Sequence, residues 1–202
     1  IDAHLRGEAH IGLYPLSDDD TCWWIAADFD KEAAMLDALA YMKAARSYGI
    51  PAALEVSQSG RGAHVWIFFA HAISAAVARS IATSLLGEAF RLRGSMHLSS
   101  YDRLFPSQDV HTGRGVGNLI AAPMNGKRRQ HGTTVFLDPA TLEPWSRRPG
   151  PRPAAIIRAE FTSRLTLTIH AYAWERLELV RIPDASDARR SQPRTVAAPA
   201  RR

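Results

Sequence analysis

Apolar residues fall into short runs separated by polar turns, and the run over residues 21–30 is the most sharply patterned. It reads TCWWIAADFD, an apolar strand that ends on Asp28, Phe29 and Asp30. Alternation along a strand places Asp28 and Asp30 on one face and Phe29 on the other. Upstream, residues 11–16 predict a brief strand stopped by Pro15, and Ser17 with Asp18, Asp19 and Asp20 predicts a polar turn. Downstream, residues 31–48 predict a helix. Ala33, Leu36, Leu39, Ala40 and Met42 recur at roughly helical spacing, Asp30 stands at the entrance as a potential cap, and Gly49 and Pro51 end it. Residues 52–56 and 64–69 predict two strands. The seven residues between them are too few for a crossover helix, so the pair is expected as an antiparallel hairpin. Residues 74–86 predict a second helix, with Ser74 as its cap and Gly87 near its end. Residues 91–109 read as mostly irregular. Short strands are expected over 118–123, ended by Pro123, and over 134–137, ended by Asp138 and Pro139. The predicted class is α+β, a mixed sheet with packed helices.

Composition changes that picture mainly after residue 145. The chain has 202 residues and 46% apolar content, enough to bury a sizeable core. The net charge is +5, but it is unevenly placed. Residues 1–145 carry 10 Arg and 3 Lys against 15 acidic residues, a net of −2, whereas residues 146–202 carry 12 Arg against 5 acidic residues, a net of +7. The basicity therefore lies in the tail and says little about what the body binds. The tail opens on SRRPGPRP, a linker-like run. Within it, residues 161–169 are expected as a strand, 171–180 as a short helix, and 181–202 as polar and disordered. The single cysteine, Cys22, excludes an internal disulfide and a Cys-rich zinc site within the chain. No apolar run reaches the roughly 20 residues of a transmembrane helix and no secretory signal is present, so a cytoplasmic protein with no membrane partner is expected.

Three constellations carry candidate chemistry. Asp28 and Asp30, two residues apart at the end of an apolar strand, form a natural clamp for a divalent metal, although turns and caps often contain the same letters. A two-metal site needs a third carboxylate, and Asp109 and Asp102 are the candidates. The second constellation is the turn Ser59-Gly60-Arg61-Gly62-Ala63-His64. Its glycines can expose backbone N–H groups to phosphate, Arg61 can add a bidentate fork, and His64 can donate to a phosphate oxygen. An ordinary hairpin turn explains the same residues equally well, and no Walker A pattern is present. The third is Asn118 followed by Lys127, Arg128 and Arg129, the densest basic cluster of the body, which suits either a nucleic-acid backbone or bulk water. The acidic triplet at residues 18–20 reads as a solvated turn, and His97, His111 and His131 fit no familiar zinc spacing.

In this order the constellations resemble the archaeo-eukaryotic primase superfamily, which is built around a DhD motif, an SxH-like motif and a later acidic motif. The phrases IGLYPL, CWWIAADFDK, ALEVSQSGRGAHVWIFF, SSYDRLFPSQD and GVGNLIAAPMNGKRRQHGTTVFLD are most similar to the primase-polymerase domain of TOTE conflict systems, over about residues 4–145. The resemblance implies an RRM-like catalytic core. It implies that Asp28 and Asp30 are the first two metal-binding acids and that His64 contacts the incoming triphosphate, with Ser59 and Arg61 nearby. Asp109 is the choice for the third acid, with Asp102 in reserve. Asn118 follows that acid, at a place where many relatives carry a basic residue that grips nucleotide.

The implied reaction is DNA primase or polymerase nucleotidyl transfer on a nucleic-acid template, with Mg²⁺ or Mn²⁺ as cofactor. Lys127, Arg128 and Arg129 would touch the nucleic acid. The implied partners are template and primer, nucleoside triphosphates, and helicase or nuclease modules of the same system. Relatives continue differently after FLDP, so the expected division is a partial catalytic domain over residues 1–145 and a divergent Arg/Pro-rich, partly disordered tail over 146–202. That truncation leaves open whether the enzyme is active. The alternatives are a non-catalytic nucleic-acid-binding remnant of the domain and a metal-dependent nuclease.

Overall fold

The computed structural model describes residues 1–94, 100–112, 119–145, 158–161 and 167–170. In chain order the elements are α1 (Asp2–Arg6), β1 (Gly12–Leu13), β2 (Thr21–Phe29), α2 (Ala34–Ser47), β3 (Ala53–Val56), β4 (Ala63–Ser74), α3 (Ala75–Arg93), β5 (Tyr101–Phe105), β6 (Ile120–Ala121), β7 (Phe136–Leu137), β8 (Arg158–Phe161) and β9 (Leu167–His170). A 3-10 turn spans Arg128–His131.

Five strands form the central sheet, in the order β5-β2-β4-β3-β7. Every pairing in it is antiparallel, not mixed as expected. The reason lies in the connections. The helix α2 joins β2 to β3, but β4 folds back from the β3 turn and lies between them. The helix α3 joins β4 to β5, and β2 lies between those two. Each helix therefore links two strands that run the same way and are not neighbours, and the core runs β-α-β-β-α-β.

The period-2 alternation of β2 and β4 sorts their side chains onto two faces. Ile25, Ala27 and Phe29 join Val65, Ile67 and Phe69 in the core under α2 and α3. Trp24, Ala26, Trp66, Phe105 and Phe136 lie on the opposite face, where Leu13 and Ile120 of the small β1-β6 sheet cover them. The residues that α2 buries are Ala34, Asp37, Ala38, Ala40, Tyr41, Ala44 and Ala45, whereas Leu36, expected on the inner face, is exposed. Alanines let the helix approach the sheet closely, and the Tyr41 hydroxyl donates to the Ala82 carbonyl of α3 at 3.2 Å. Apart from Tyr41, the apolar residues buried on the inner face of this helix are alanines.

The structure departs from the sequence pattern at three further places. The helix α3 runs through Gly87 to Arg93 and stops at Gly94, whose φ of 67° is left-handed. Burial of Leu85, Leu86 and Ala89 outweighs the roughly 1 kcal/mol that a mid-helix glycine costs. Residues 91–109, expected to be mostly irregular, contain the edge strand β5, which pairs with β2. In place of one strand over 161–169, β8 and β9 pair antiparallel with each other. Residues 171–202, with their expected helix and disorder, lie outside the described residues.

Candidate metal centre

One cross-strand row builds the site. Asp28 of β2 pairs with His64 of β4, His64 pairs with Glu55 of β3, and on the other side Asp28 pairs with Arg103 of β5. The neighbouring row on this face is Phe105, Ala26, Trp66 and Ala53, all apolar. The polar row is thus a continuation of the face that the small sheet covers, one pleat further along the strands.

Asp30 leaves the sheet just beyond this row. The expectation that it caps α2 is not met. The helix begins four residues later, with Ala33 as its N-cap, after a sharp turn in which Lys31 takes a φ of 71°. The Asp30 carboxylate is free of a capping role and exposed. A Cβ added at Gly62 would come within 2.5 Å of Asp30 Oδ1, 2.7 Å of the Phe29 carbonyl and 2.8 Å of Ser57 Oγ. Glycine at 62 is therefore what lets the β3-β4 turn lie against Asp30.

The acid that the fold places beside Asp28 and Asp30 is Asp102, the reserve candidate. Asp28, Asp30 and Asp102 each offer a carboxylate oxygen, and these lie within 4.8 Å of one another. Asp109, the first choice, stands elsewhere. It is exposed and receives Arg79 Nη1 of α3 at 2.7 Å. A β-bulge decides between the two acids. Asp28 pairs with Arg103 and Phe29 with Tyr101, so Asp102 is an extra residue in β5 with no partner on β2. A bulge re-aims the side chain at the extra residue, and here it delivers Asp102 to the face of Asp28. Arg103 Nε holds Asp102 Oδ2 at 2.7 Å. The Asp30 carboxyl is held above the usual carboxylate range, by partial burial first and then by the charges of Asp28 and Asp102. Three hard oxygen donors that repel one another suit a hard divalent cation, which would remove that repulsion.

His64 is 5% exposed and lies between two carboxylates. Its Nδ1 is 3.0 Å from Glu55 Oε2 and its Nε2 is 3.4 Å from Asp28 Oδ1. Burial pulls the imidazole down, but Glu55 and Asp28 together outweigh burial and push it up to about 10. Glu55 is fully buried, and its Oε2 also accepts Trp66 Nε1–H at 2.6 Å. Among the described residues its Oε1 has no hydrogen-bond partner. No motif in the sequence singles out Glu55. Its signal was a lone carboxylate between Leu54 and Val56 in an otherwise apolar strand.

The glycine-rich turn does not present its amides outward. Gly60 N–H donates to the Ser57 carbonyl, Arg61 N–H to Ser59 Oγ at 3.2 Å, and Gly62 N–H to Ser57 Oγ at 3.1 Å. The serines close the turn upon itself, and Arg61 is exposed. Lys127, Arg128 and Arg129 are exposed on and beside the 3-10 turn. Asn125, fully buried, holds that turn by accepting the Lys127 and Arg128 N–H groups on its Oδ1. A Cβ at Gly60 would lie 3.2 Å from Thr133 Cγ2, so the basic segment and the β3-β4 turn adjoin. Asn118 and His97 lie outside the described residues. His111 packs its ring against Tyr14, and among the described residues the three aspartates are the one group of three or more His, Cys, Asp or Glu side chains able to share an ion.

Residues 1–148 match the family model described as TOTE conflict system, Archaeo-Eukaryotic Primase domain. A search among curated proteins finds no match.

Proposed function

The chain belongs to the archaeo-eukaryotic primase domain family of TOTE conflict systems, and from that premise we propose that it catalyses template-directed nucleotidyl transfer. In this reading a primer 3′-hydroxyl, or the hydroxyl of a first nucleotide, attacks the α-phosphate of a nucleoside triphosphate, and pyrophosphate leaves. The observation that carries the reading is the meeting of Asp28, Asp30 and Asp102 within 4.8 Å, from two strands and the turn after β2. The β-α-β-β-α-β order of the core supports an RRM-like description of the domain.

Asp28, Asp30 and Asp102 would hold the divalent cations, Mg²⁺ or Mn²⁺. When bound, such ions lower the pKa of the attacking hydroxyl and stabilise charge building on the phosphate. His64, held on Nδ1 by Glu55, offers a buried positive charge whose Nε2 faces the acids, which suits a phosphate oxygen of the nucleotide. Arg61 adds a second cation at the adjoining turn. Lys127, Arg128 and Arg129 form the nearest basic surface for a template or primer backbone, where contacts of this kind position the strand without reading its sequence. We assign the helicase or nuclease modules of the same system as companions of this activity, and the cytoplasm as its place.

The test is incorporation of labelled nucleotide on a primed template with Mn²⁺, in the wild type and in Asp30→Ala. Loss of incorporation in the variant is expected, and equal incorporation defeats the assignment. Degradation of DNA without added nucleotide would instead identify a nuclease. Salt-dependent DNA binding with neither activity would identify a non-catalytic binding module.

A further inference from the structure

Behind the acids lies a buried carboxylate that touches none of them. Asp37 sits in the inward stripe of α2 among alanines and is fully buried. Its Oδ1 accepts Arg93 Nε at 2.8 Å, and its Oδ2 accepts the Ser100 hydroxyl. Arg93 is the last residue of α3, and Ser100 immediately precedes β5. One side chain therefore gathers the end of a helix and the start of a strand onto α2.

Ser100 also faces the other way. It is 1% exposed, and its carbonyl accepts the Asp30 N–H at 2.6 Å. Two residues after Ser100 comes the bulge at Asp102. The position of Ser100 thus sets both where Asp30 is anchored and where β5 begins its count toward Asp102. A carboxylate in an alanine stripe is costly to bury unless it is paired and hydrogen-bonded; Arg93 supplies the pairing charge, and Ser100 is the partner that also holds Asp30.

We propose that Asp37 is a positioning residue for the metal centre: through Ser100 it fixes the spacing between Asp30 and Asp102. This rests on the reading of the three aspartates as a metal site. Residues that orient ligands from behind in this way commonly change metal affinity by about 10- to 100-fold when removed.

The test is Mn²⁺ affinity of the full chain, followed by electron paramagnetic resonance of free Mn²⁺ at a temperature where every variant is folded by circular dichroism. Asp37→Ala is expected to weaken binding about 10- to 100-fold. Ser100→Ala, which removes only the hydroxyl, is expected to weaken it in the same direction and carries the test if Asp37→Ala does not fold. Leu85→Ala, a core variant of α3 remote from this network, controls for stability alone and is expected to bind within about twofold of wild type. Wild-type affinity in Ser100→Ala and in any folded Asp37→Ala overturns the inference, as does an equal loss in Leu85→Ala. If the wild type itself binds no Mn²⁺, the reading of the aspartates as a metal site falls first, and this inference falls with it.

Discussion

Asp102 reaches Asp28 because β5 carries one residue more than β2 can pair. Arg103 takes the place opposite Asp28, and Asp102 is left over and turned onto the same face. Asp109, in contrast, is bound to Arg79 and stands apart from the cluster. Asp102→Ala is therefore expected to lower Mn²⁺ affinity and any incorporation activity by about 100-fold or more, since it removes one of three carboxylates. Asp109→Ala should leave both within about twofold, because exposed ion pairs contribute little. Parallel metal titrations of the two variants check this, and the reverse ranking would restore Asp109.

Mutual repulsion makes a second prediction. Partial burial, with the charges of Asp28 and Asp102, holds the Asp30 carboxyl above its ordinary value, so ionised Asp30 weakens the metal-free fold. Asp30→Asn should raise the melting temperature of the metal-free protein slightly, the gain being limited by solvent screening at an exposed site. Added Mn²⁺ should reverse the order. At a concentration 100-fold above its Kd, the wild type gains about 2.7 kcal/mol by mass action, and the variant gains little. Melting curves with and without Mn²⁺ would show the crossing.

Glu55 and His64 form a buried pair, and their energies should not add. His64→Leu leaves the Glu55 carboxylate buried without its cation and is expected to cost about 3–5 kcal/mol. Adding Glu55→Gln removes the charge while keeping an acceptor for Trp66 Nε1–H. The double variant should recover at least ~1 kcal/mol relative to His64→Leu alone. Urea denaturation of the two single variants and the double measures the coupling. Simple additivity would show that the pair is not coupled.

Two glycines should respond in opposite directions to alanine. At Gly62 the new Cβ would press on Asp30 Oδ1, the Phe29 carbonyl and Ser57 Oγ, so Gly62→Ala should cost about 1–3 kcal/mol and also weaken Mn²⁺ binding. Gly87 lies mid-helix with nothing within 4 Å of an added Cβ, so Gly87→Ala should stabilise by about 0.5–1 kcal/mol and leave metal binding unchanged. Denaturation and metal titration of the pair test both signs.

Cys22 supplies a pH dependence away from the acids. Burial pushes its thiol up to about 12, from an unfolded value of 9.0. The folded state therefore holds its proton where the unfolded state releases it. The stability associated with the neutral thiol is complete below pH 9.0 and is lost as pH rises from there toward about 12. Cys22→Ala should flatten this part of the alkaline stability profile. At pH 8.5 the native thiol should resist a disulfide reagent that modifies the unfolded chain at once.

Much of the centre was legible in the chain because its signals are local. Apolar alternation into Asp28 and Asp30, the short polar turn between two strands, and a histidine opening the second strand each depend on residues close in sequence. Strand period and turn length then place Asp28 beside His64. The helix stripe misled because its spacing was approximate, and the inward face was marked by alanines. What only the folded molecule decided is set by register across strands. The choice of Asp102 over Asp109 depends on a single unpaired residue in β5, and the selection of Glu55 depends on its standing opposite His64. Asp37 acts through Ser100 from 63 residues away. A bulge and a cross-strand neighbour leave no period in the one-dimensional pattern, because they are relations between segments that meet only when the sheet forms.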